Sequence, residues 1–158
     1  MINTTDNSLD TKNRIAAIII SPDRKYFLTG KAPNRKYDLN DLVGKGHIEY
    51  TEIPETALQR EIFEESNIDI KDLSITFVDS IKYQQGQMHF YIIVLPKIPE
   101  DIKCNSYFVN FAGRDKLEFE SFEWVALKDW KTKLYKSLQK TCQPIFDKVI
   151  DWIERGIL

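Results

Sequence analysis

Three glutamates on one predicted helix constrain this chain more than any other feature of its sequence. In the run Arg60-Glu61-Ile62-Phe63-Glu64-Glu65, a helical step of about 100° per residue puts Glu61 and Glu65 nearly in line, with Glu64 close beside them. Like charges at this spacing repel, so a cation against that face would stabilise the helix. Carboxylate oxygens suit Mg²⁺ or Mn²⁺. The alternative is a solvated acidic face on an amphipathic helix.

The residues around this run predict where the helix begins and ends. Thr51 can cap its N-terminus, Pro54 suits its first turn, and the helix is expected to extend to about Asn67. Apolar residues recur at helical spacing on the face that should meet the core, namely Ala57, Leu58 and Ile62. The carboxylates and the core therefore lie on different faces of the helix.

The flanking sequence is rich in β-forming runs separated by turn residues. Residues 14–20 and 26–31 enclose the turn 21–24, and residues 73–83 and 88–95 enclose the turn 84–87, so each pair predicts a hairpin. A last strand is expected over residues 119–127. Residues 134–155 have a helical apolar pattern in which Pro144 should cause a kink or start a new helix. Strands around a central helix favour a mixed sheet flanked by helices, in the α/β or α+β class.

Length and composition narrow the class of protein further. A chain of 158 residues fits one domain, here residues 13–158 after a polar leader at 1–12. A net charge of -2 gives no reason to expect strong nonspecific nucleic-acid binding. No signal sequence and no apolar run of membrane-spanning length is visible, and Cys104 and Cys142 have no metal-ligand spacing. We expect a cytoplasmic protein with two unpaired thiols and no membrane partner.

Residues 46–68 carry a longer spaced pattern. Gly46 is followed after five residues by Glu52, then after seven by Arg60-Glu61-Ile62, and finally by Glu64-Glu65 and Asn67-Ile68. This pattern resembles the Nudix box of the Nudix hydrolase superfamily, except that the family has Gly where this chain has Asn67. Asn is the commonest substitute for Gly in a left-handed conformation at a helix end, so the departure is mild. The resemblance implies an α/β/α sandwich with a mixed β-sheet.

The resemblance also implies roles for the residues of the box. Glu61, Glu64 and Glu65 correspond to the metal-binding carboxylates, with the Gly46 carbonyl as a further ligand and Mg²⁺, or Mn²⁺, as the cofactor. Glu61 is our first choice of general base, although family members differ in this, and the catalytic group is completed by Glu64 and Arg60. Arg60 is expected to brace the glutamates, with a grip on substrate phosphate as its rival role.

Other candidates lie outside the fixed positions of the box. Many relatives add a later carboxylate, and among Glu118, Glu120 and Glu123 we choose Glu120 as a metal ligand. Lys45 and His47 flank Gly46 and are candidate phosphate contacts. The alternative for them is an exposed lysine and a partly buried histidine. A nucleobase needs an apolar or aromatic surface, for which we choose Tyr83 over Tyr91, Phe108 and Phe111.

The predicted function is metal-dependent hydrolysis of a nucleoside diphosphate linked to another group by attack of water on phosphorus. The small-molecule substrate is a dinucleoside polyphosphate, a nucleotide sugar or a nucleoside triphosphate, and a capped RNA 5′ end is an alternative. Lys45 and His47 belong to a Gly-Lys-Gly-His run that resembles members acting on dinucleoside polyphosphates. A non-catalytic nucleotide sensor and an RNA-binding protein are the competing classes, and a homodimer is left open by the resemblance.

Overall fold

The computed structural model describes residues 13–33, 39–109 and 115–158. The predicted leader at 1–12 and Phe111 lie outside the described residues, as does the side chain of Phe108. None of the helices in the described part combines the length and apolar character needed to cross a bilayer. Cys104 and Cys142 are not paired with each other, as expected.

A seven-stranded mixed sheet forms the centre of the described structure, and a two-stranded sheet lies apart from it. The strands of the large sheet are β1 (Arg14–Ile20), β2 (Tyr26–Lys31), β3 (Asp41–Leu42), β4 (Gly46–His47), β5 (Thr76–Tyr83), β6 (Gly86–Val94) and β9 (Ser121–Ala126). The small sheet pairs β7 (Tyr107–Val109) with β8 (Asp115–Leu117). The helices are α1 (Pro54–Ser66), α2 (Trp130–Lys133) and α3 (Lys136–Glu154), with a 3₁₀ turn at Leu127–Asp129.

Strand β1 holds the two halves of the sheet together. It runs parallel to β6 along its whole length, antiparallel to β4 at its start, and antiparallel to β2 at its end. β2 continues the sheet antiparallel to β9, and β5 pairs antiparallel with β6. Both predicted hairpins are therefore present, and the parallel pairing of β1 with β6 makes the sheet mixed.

The two faces of β1 pack into different hydrophobic cores, which makes the fold a three-layer α/β/α sandwich as predicted. Alternate residues Ile15, Ala17 and Ile19 pack with Ala57, Leu58 and Ile62 of α1. The intervening residues of β1 pack with the apolar stripe of α3, namely Leu138, Cys142, Ile145, Phe146 and Val149. A strand covered on both faces should be apolar throughout, and six of the seven residues of β1 are buried.

Two helix boundaries differ from the sequence-based expectation. The N-cap residue of α1 is Ile53 and not Thr51, and no side chain caps it. Pro54 occupies the first turn and lacks an N–H group, so one fewer donor needs a partner there. Pro144 does not start a new helix, because α3 continues through it. Asn67 ends α1 with φ 64°, which is the left-handed conformation expected where the family has Gly.

Candidate active site

Two glycines let the loop before α1 lie directly against the helix. Gly44 has φ +87°, and a Cβ atom there would be 2.6 Å from the Ile62 Cγ1 atom. A Cβ atom on Gly46 would overlap the carboxylate of Glu61. Gly46 pairs with Ile15 of β1, so the close approach fixes the Glu61 carboxylate against the edge of the sheet.

Arg60 organises the acidic face of α1. Its guanidinium donates two hydrogen bonds to the Glu52 carboxylate, at 2.8 and 2.9 Å, and one at 3.2 Å to the His47 carbonyl. It also donates to Glu61 Oε1 at 3.0 Å and lies 3.5 Å from Glu64 Oε2. The hydrogen bonds from Arg60 lower the pKa of Glu52, and those from Arg60 to Glu52 raise the pKa of Arg60. Arg60 is therefore placed as a brace that connects loop and helix.

Glu65 is the most unusual carboxylate of the described residues. Its side chain is 2% exposed, and its Oε2 atom has no hydrogen-bond partner. Burial raises its pKa well above the usual value, and the charges of Glu61 and Glu118 raise it further. Burial also raises the pKa of Glu61, against the lowering effects of Glu65 and Arg60. A buried carboxylate oxygen without a partner is costly, so the site favours a proton or a cation there.

Of the later carboxylates, Glu118 lies beside this face, whereas we chose Glu120 from the sequence. Glu118 lines the same cavity as Glu61. Burial raises the pKa of Glu118 and the charge of Glu64 raises it further, whereas a hydrogen bond with Ser106 lowers it. Glu120 is exposed, and its backbone N–H donates to the Lys31 carbonyl at 2.8 Å. β9 begins only at Ser121, so the alternation of a strand does not extend to these two residues.

Glu123, the third candidate, connects neighbouring elements through its side-chain contacts. Its carboxylate accepts a hydrogen bond from the Asn40 amide at 3.0 Å and lies 3.4 Å from the Lys133 ammonium. The hydrogen bond from Asn40 lowers the pKa of Glu123, with Lys133 and Lys31 adding to the effect. These contacts join β9 to the segment before β3 and to the end of α2.

Lys45 lies in the cavity wall with its charge already compensated. The ammonium donates to the Tyr135 hydroxyl at 2.7 Å, lies 2.9 Å from Asp41 Oδ1, and sits over the Tyr135 ring at 5.0 Å. Burial lowers the pKa of Lys45, but Asp41 and Tyr135 outweigh it and raise the pKa above its usual value. The alternative of an exposed lysine is wrong. Direct contact between Lys45 and a phosphate would compete with this pair.

A cavity of about 380 Å³ opens beside the acidic face of α1. Its wall contains predicted substrate contacts, box residues and others, namely Arg14, Lys45, Gly46, His47, Glu49, Arg60, Glu61, Tyr83, Met88 and Glu118. His47 is exposed, contrary to the partly buried alternative. Tyr91 is buried and packs edge-on against Phe77, and among the described aromatic candidates Tyr83 lines the cavity. Among the described residues, no three Asp, Glu, His or Cys side chains already converge as a finished metal site.

Comparison with known proteins decides which family this site belongs to. A family model described as the NUDIX domain matches residues 11–144, which include the loop, the acidic helix and Glu118. The chain belongs to the NUDIX family. It is accordingly a hydrolase of the Nudix type, and the predicted enzyme class and fold are confirmed. The coarse activity is that of a Nudix pyrophosphohydrolase. No curated protein sequence matches the chain significantly.

Solved Nudix-type structures share the fold at low sequence identity. A Caenorhabditis elegans Ap4A hydrolase complex has a TM-score of 0.64 at 18% identity, over 90% of this chain and 97% of that one. The Escherichia coli dihydroneopterin triphosphate pyrophosphohydrolase has a TM-score of 0.63 at 16% identity, over 89% and 96%. A MutT structure from work on Aliivibrio salmonicida and Vibrio cholerae has a TM-score of 0.60 at 18% identity, over 88% and 96%.

The Nudix box predicts most of the acidic face but not the residues that complete the cavity. Glu61, Glu65 and Arg60 are brought together as expected, and Glu64 lies at the edge of the group. Arg14 and Met88 were not anticipated, because a charged residue at the start of an apolar strand has no distinctive local pattern. The pairing of Arg14 with both His47 and Met88 becomes visible only through the register of β1.

Proposed function

We propose that this Nudix protein hydrolyses a phosphoanhydride bond of a nucleoside polyphosphate with the help of Mg²⁺, or Mn²⁺. The observation that carries the proposal is the buried Glu65 carboxylate, whose Oε2 atom has no partner among the described residues and which lies next to Glu61, a residue of the cavity wall. A divalent cation would satisfy that oxygen and offset the repulsion among the carboxylates.

The donor set fits a hard cation. Glu61, Glu64 and Glu65 from α1, Glu118 from the segment before β9, and the carbonyl of Gly46 would hold it, all through oxygen. When bound, the cation would neutralise the diphosphate and lower the pKa of the attacking water. Arg60 contacts both Glu61 and Glu64, and Glu52 keeps Arg60 in place.

Glu61 is the proposed general base. It lines the cavity, whereas Glu65 is buried behind it, so Glu61 is the carboxylate of this pair that reaches a water molecule in the cavity. Its raised pKa makes it a stronger proton acceptor than an ordinary glutamate. Arg60 stabilises the ionised form through the hydrogen bond at 3.0 Å, which preserves its ability to accept a proton.

The proposed substrate is a nucleotide that carries a phosphate chain, with a dinucleoside polyphosphate as first choice. The run Gly44-Lys45-Gly46-His47 supports it by resemblance, and the Ap4A hydrolase is among the solved structures that share the fold. Tyr83 supplies an aromatic surface for a base at the cavity wall, and His47 is a candidate phosphate contact there. The cytoplasmic location and the single domain at 13–158 remain part of the proposal.

A substrate panel tests the proposal. The purified protein is incubated with dinucleoside tetraphosphate, nucleoside triphosphates, ADP-ribose, a nucleotide sugar and capped RNA, with Mg²⁺ or with EDTA, and products are separated by chromatography. We expect cleavage of a phosphoanhydride that EDTA abolishes. Glu118→Gln should lower kcat at least about 10-fold and Glu120→Gln less than about 2-fold. Binding of nucleotides without turnover of any of them would contradict the proposal and favour the sensor class.

A further inference from the structure

The cations in the cavity wall differ in how their charges are compensated. Arg60 is paired with Glu52 and Glu61, and Lys45 is paired with Asp41. Arg14 donates to the neutral Gln84 amide oxygen at 3.0 Å and lies over the ring of Tyr83, 5.1 Å from its centroid. Within the described part of the chain, no carboxylate lies within 4 Å of the Arg14 guanidinium. Arg14 therefore carries a positive charge that its contacts with the described residues do not neutralise.

The register of β1 puts this charge next to the acidic wall. The Cα partners of Arg14 are His47 in β4 and Met88 in β6, and the neighbouring Ile15 is paired with Gly46. Gly46 is the residue against which the Glu61 carboxylate packs. Paired strands are about 5 Å apart, so the Arg14 backbone lies one strand spacing and one residue away from Gly46, which contacts the proposed general base Glu61. Its side chain and that of Tyr83 both line the cavity.

The contacts of Arg14 hold its guanidinium while leaving donors for a ligand. A guanidinium has five N–H groups, and the structure uses one of them for Gln84. Stacking over Tyr83 restricts the plane of the group without using an N–H donor. A planar, oriented guanidinium binds a phosphate through two parallel hydrogen bonds, which an ammonium group does not reproduce.

We propose that Arg14 binds a phosphate of the substrate on the Tyr83 side of the scissile linkage. This inference rests on the proposed function, and it makes the substrate more specific. Two phosphates belong to the linkage at the acidic wall, so a further phosphate at Arg14 requires a chain of three or more. A dinucleoside polyphosphate or a nucleoside triphosphate meets that requirement, and a diphosphate joined to a neutral sugar does not.

Equilibrium binding tests the inference without relying on turnover. In a Glu61→Gln background with Mg²⁺, calorimetry gives the Kd of dinucleoside tetraphosphate and of ADP-ribose. We expect Arg14→Gln to raise the Kd of the tetraphosphate about 10- to 100-fold and that of ADP-ribose less than about 3-fold. The Kd of the tetraphosphate for Arg14→Lys should lie between the values for the unaltered residue and for Arg14→Gln, because lysine keeps the charge but loses the paired N–H donors of the guanidinium. Arg155→Gln is the matched control, since Arg155 is exposed and pairs with Asp151 on α3.

Kinetics of the otherwise unaltered enzyme gives the second readout. Arg14→Gln should raise the KM for the tetraphosphate by a similar factor and change kcat less than about 3-fold. An equal loss of affinity for both ligands, or none for either, would overturn the role of Arg14. Failure of the proposed function is a separate result, in which the unaltered protein cleaves neither compound, and the binding comparison still decides the role of Arg14.

Discussion

At the scale of single residues, the site depends on how closely the loop at Gly44 and Gly46 approaches α1. A Cβ atom on either residue would overlap a side chain of the helix, but the two overlaps differ in kind. At Gly44 the neighbour is Ile62 in the core, whereas at Gly46 it is the carboxylate of Glu61. The first glycine therefore serves packing, and the second serves the placement of a proposed catalytic group.

Gly46→Ala should reduce activity far more than stability. The added methyl group must displace the Glu61 carboxylate from the sheet edge and from Arg60, so we expect kcat to fall at least about 100-fold. Overpacking at a partly exposed site should lower the free energy of unfolding by about 1–3 kcal/mol. Urea unfolding and steady-state kinetics measure the two effects. A variant with nearly full kcat would show that Glu61 need not lie where the structure has it.

His89 should make the protein less stable in mild acid. Burial lowers the pKa of His89 from 6.5, and its Nδ1 atom lies 2.6 Å from the Ser80 hydroxyl oxygen. The unfolded chain then binds more protons than the folded one near pH 6, so the free energy of unfolding rises with pH. The contribution of His89 to the free energy of unfolding is fully present above about pH 6.5, and it is lost as the pH falls through the lowered pKa of His89 in the folded protein. His89→Gln should flatten that dependence between about pH 5 and pH 7.5 in urea titrations. An unchanged slope would contradict it.

At the scale of elements, the ends of α1 show what the sequence predicts and what it does not. The apolar stripe predicts the helix, and the box predicts a left-handed residue at Asn67, because both depend on local spacing. Thr51 is of a residue type that often caps helices, yet the helix starts at Pro54, with Ile53 as its N-cap. The choice among Glu118, Glu120 and Glu123 rested on local alternation, which does not show that β9 starts at Ser121.

Asn67→Ala should destabilise the protein, whereas Asn67→Gly should leave its stability nearly unchanged. Glycine adopts φ 64° without cost, so restoring the family residue should change the free energy of unfolding by less than about 1 kcal/mol. Alanine has no polar side chain to support this conformation and should destabilise by about 1–2 kcal/mol. Thermal unfolding of the two variants makes the comparison, with kcat unchanged in Asn67→Gly. Equal stability of the alanine and glycine variants would show that α1 can end differently.

At the scale of the whole molecule, β1 divides the structure into a layer with α1 and a layer with α3. The strand and helix patterns predicted a mixed sheet flanked by helices, and the resemblance to the Nudix family implied the sandwich, whose two cores lie on opposite faces of β1. The environment of the partly buried Lys45 was not predictable, because its partners Asp41 and Tyr135 come from separate elements. The same applies to Arg14 and Tyr83, which meet across the sheet. The contacts of Lys45 with Tyr135 and of Arg14 with Tyr83 join residues far apart in the sequence, so they depend on topology and local patterns do not encode them.

The layer with α3 should protect one thiol and leave the other reactive. Cys142 is fully buried in that layer, and burial raises its pKa to about 12. Cys104 is only half-buried. A thiolate is the reactive form, so Cys104 should react with a disulfide reagent in the native protein. Cys142 should react only after unfolding. Equal labelling rates in Cys104→Ser and Cys142→Ser variants would contradict the packing of α3.

The acidic face of α1 is proposed to perform metal-dependent hydrolysis. The most direct measurement is kcat for dinucleoside tetraphosphate with Mg²⁺ in the unaltered protein, in Glu65→Gln and in Glu55→Gln, a control on the same helix with an exposed side chain. We predict that Glu65→Gln lowers kcat at least about 100-fold without loss of folding, and that Glu55→Gln changes it less than about 2-fold. Full activity of Glu65→Gln, or equal losses in both variants, would contradict the account.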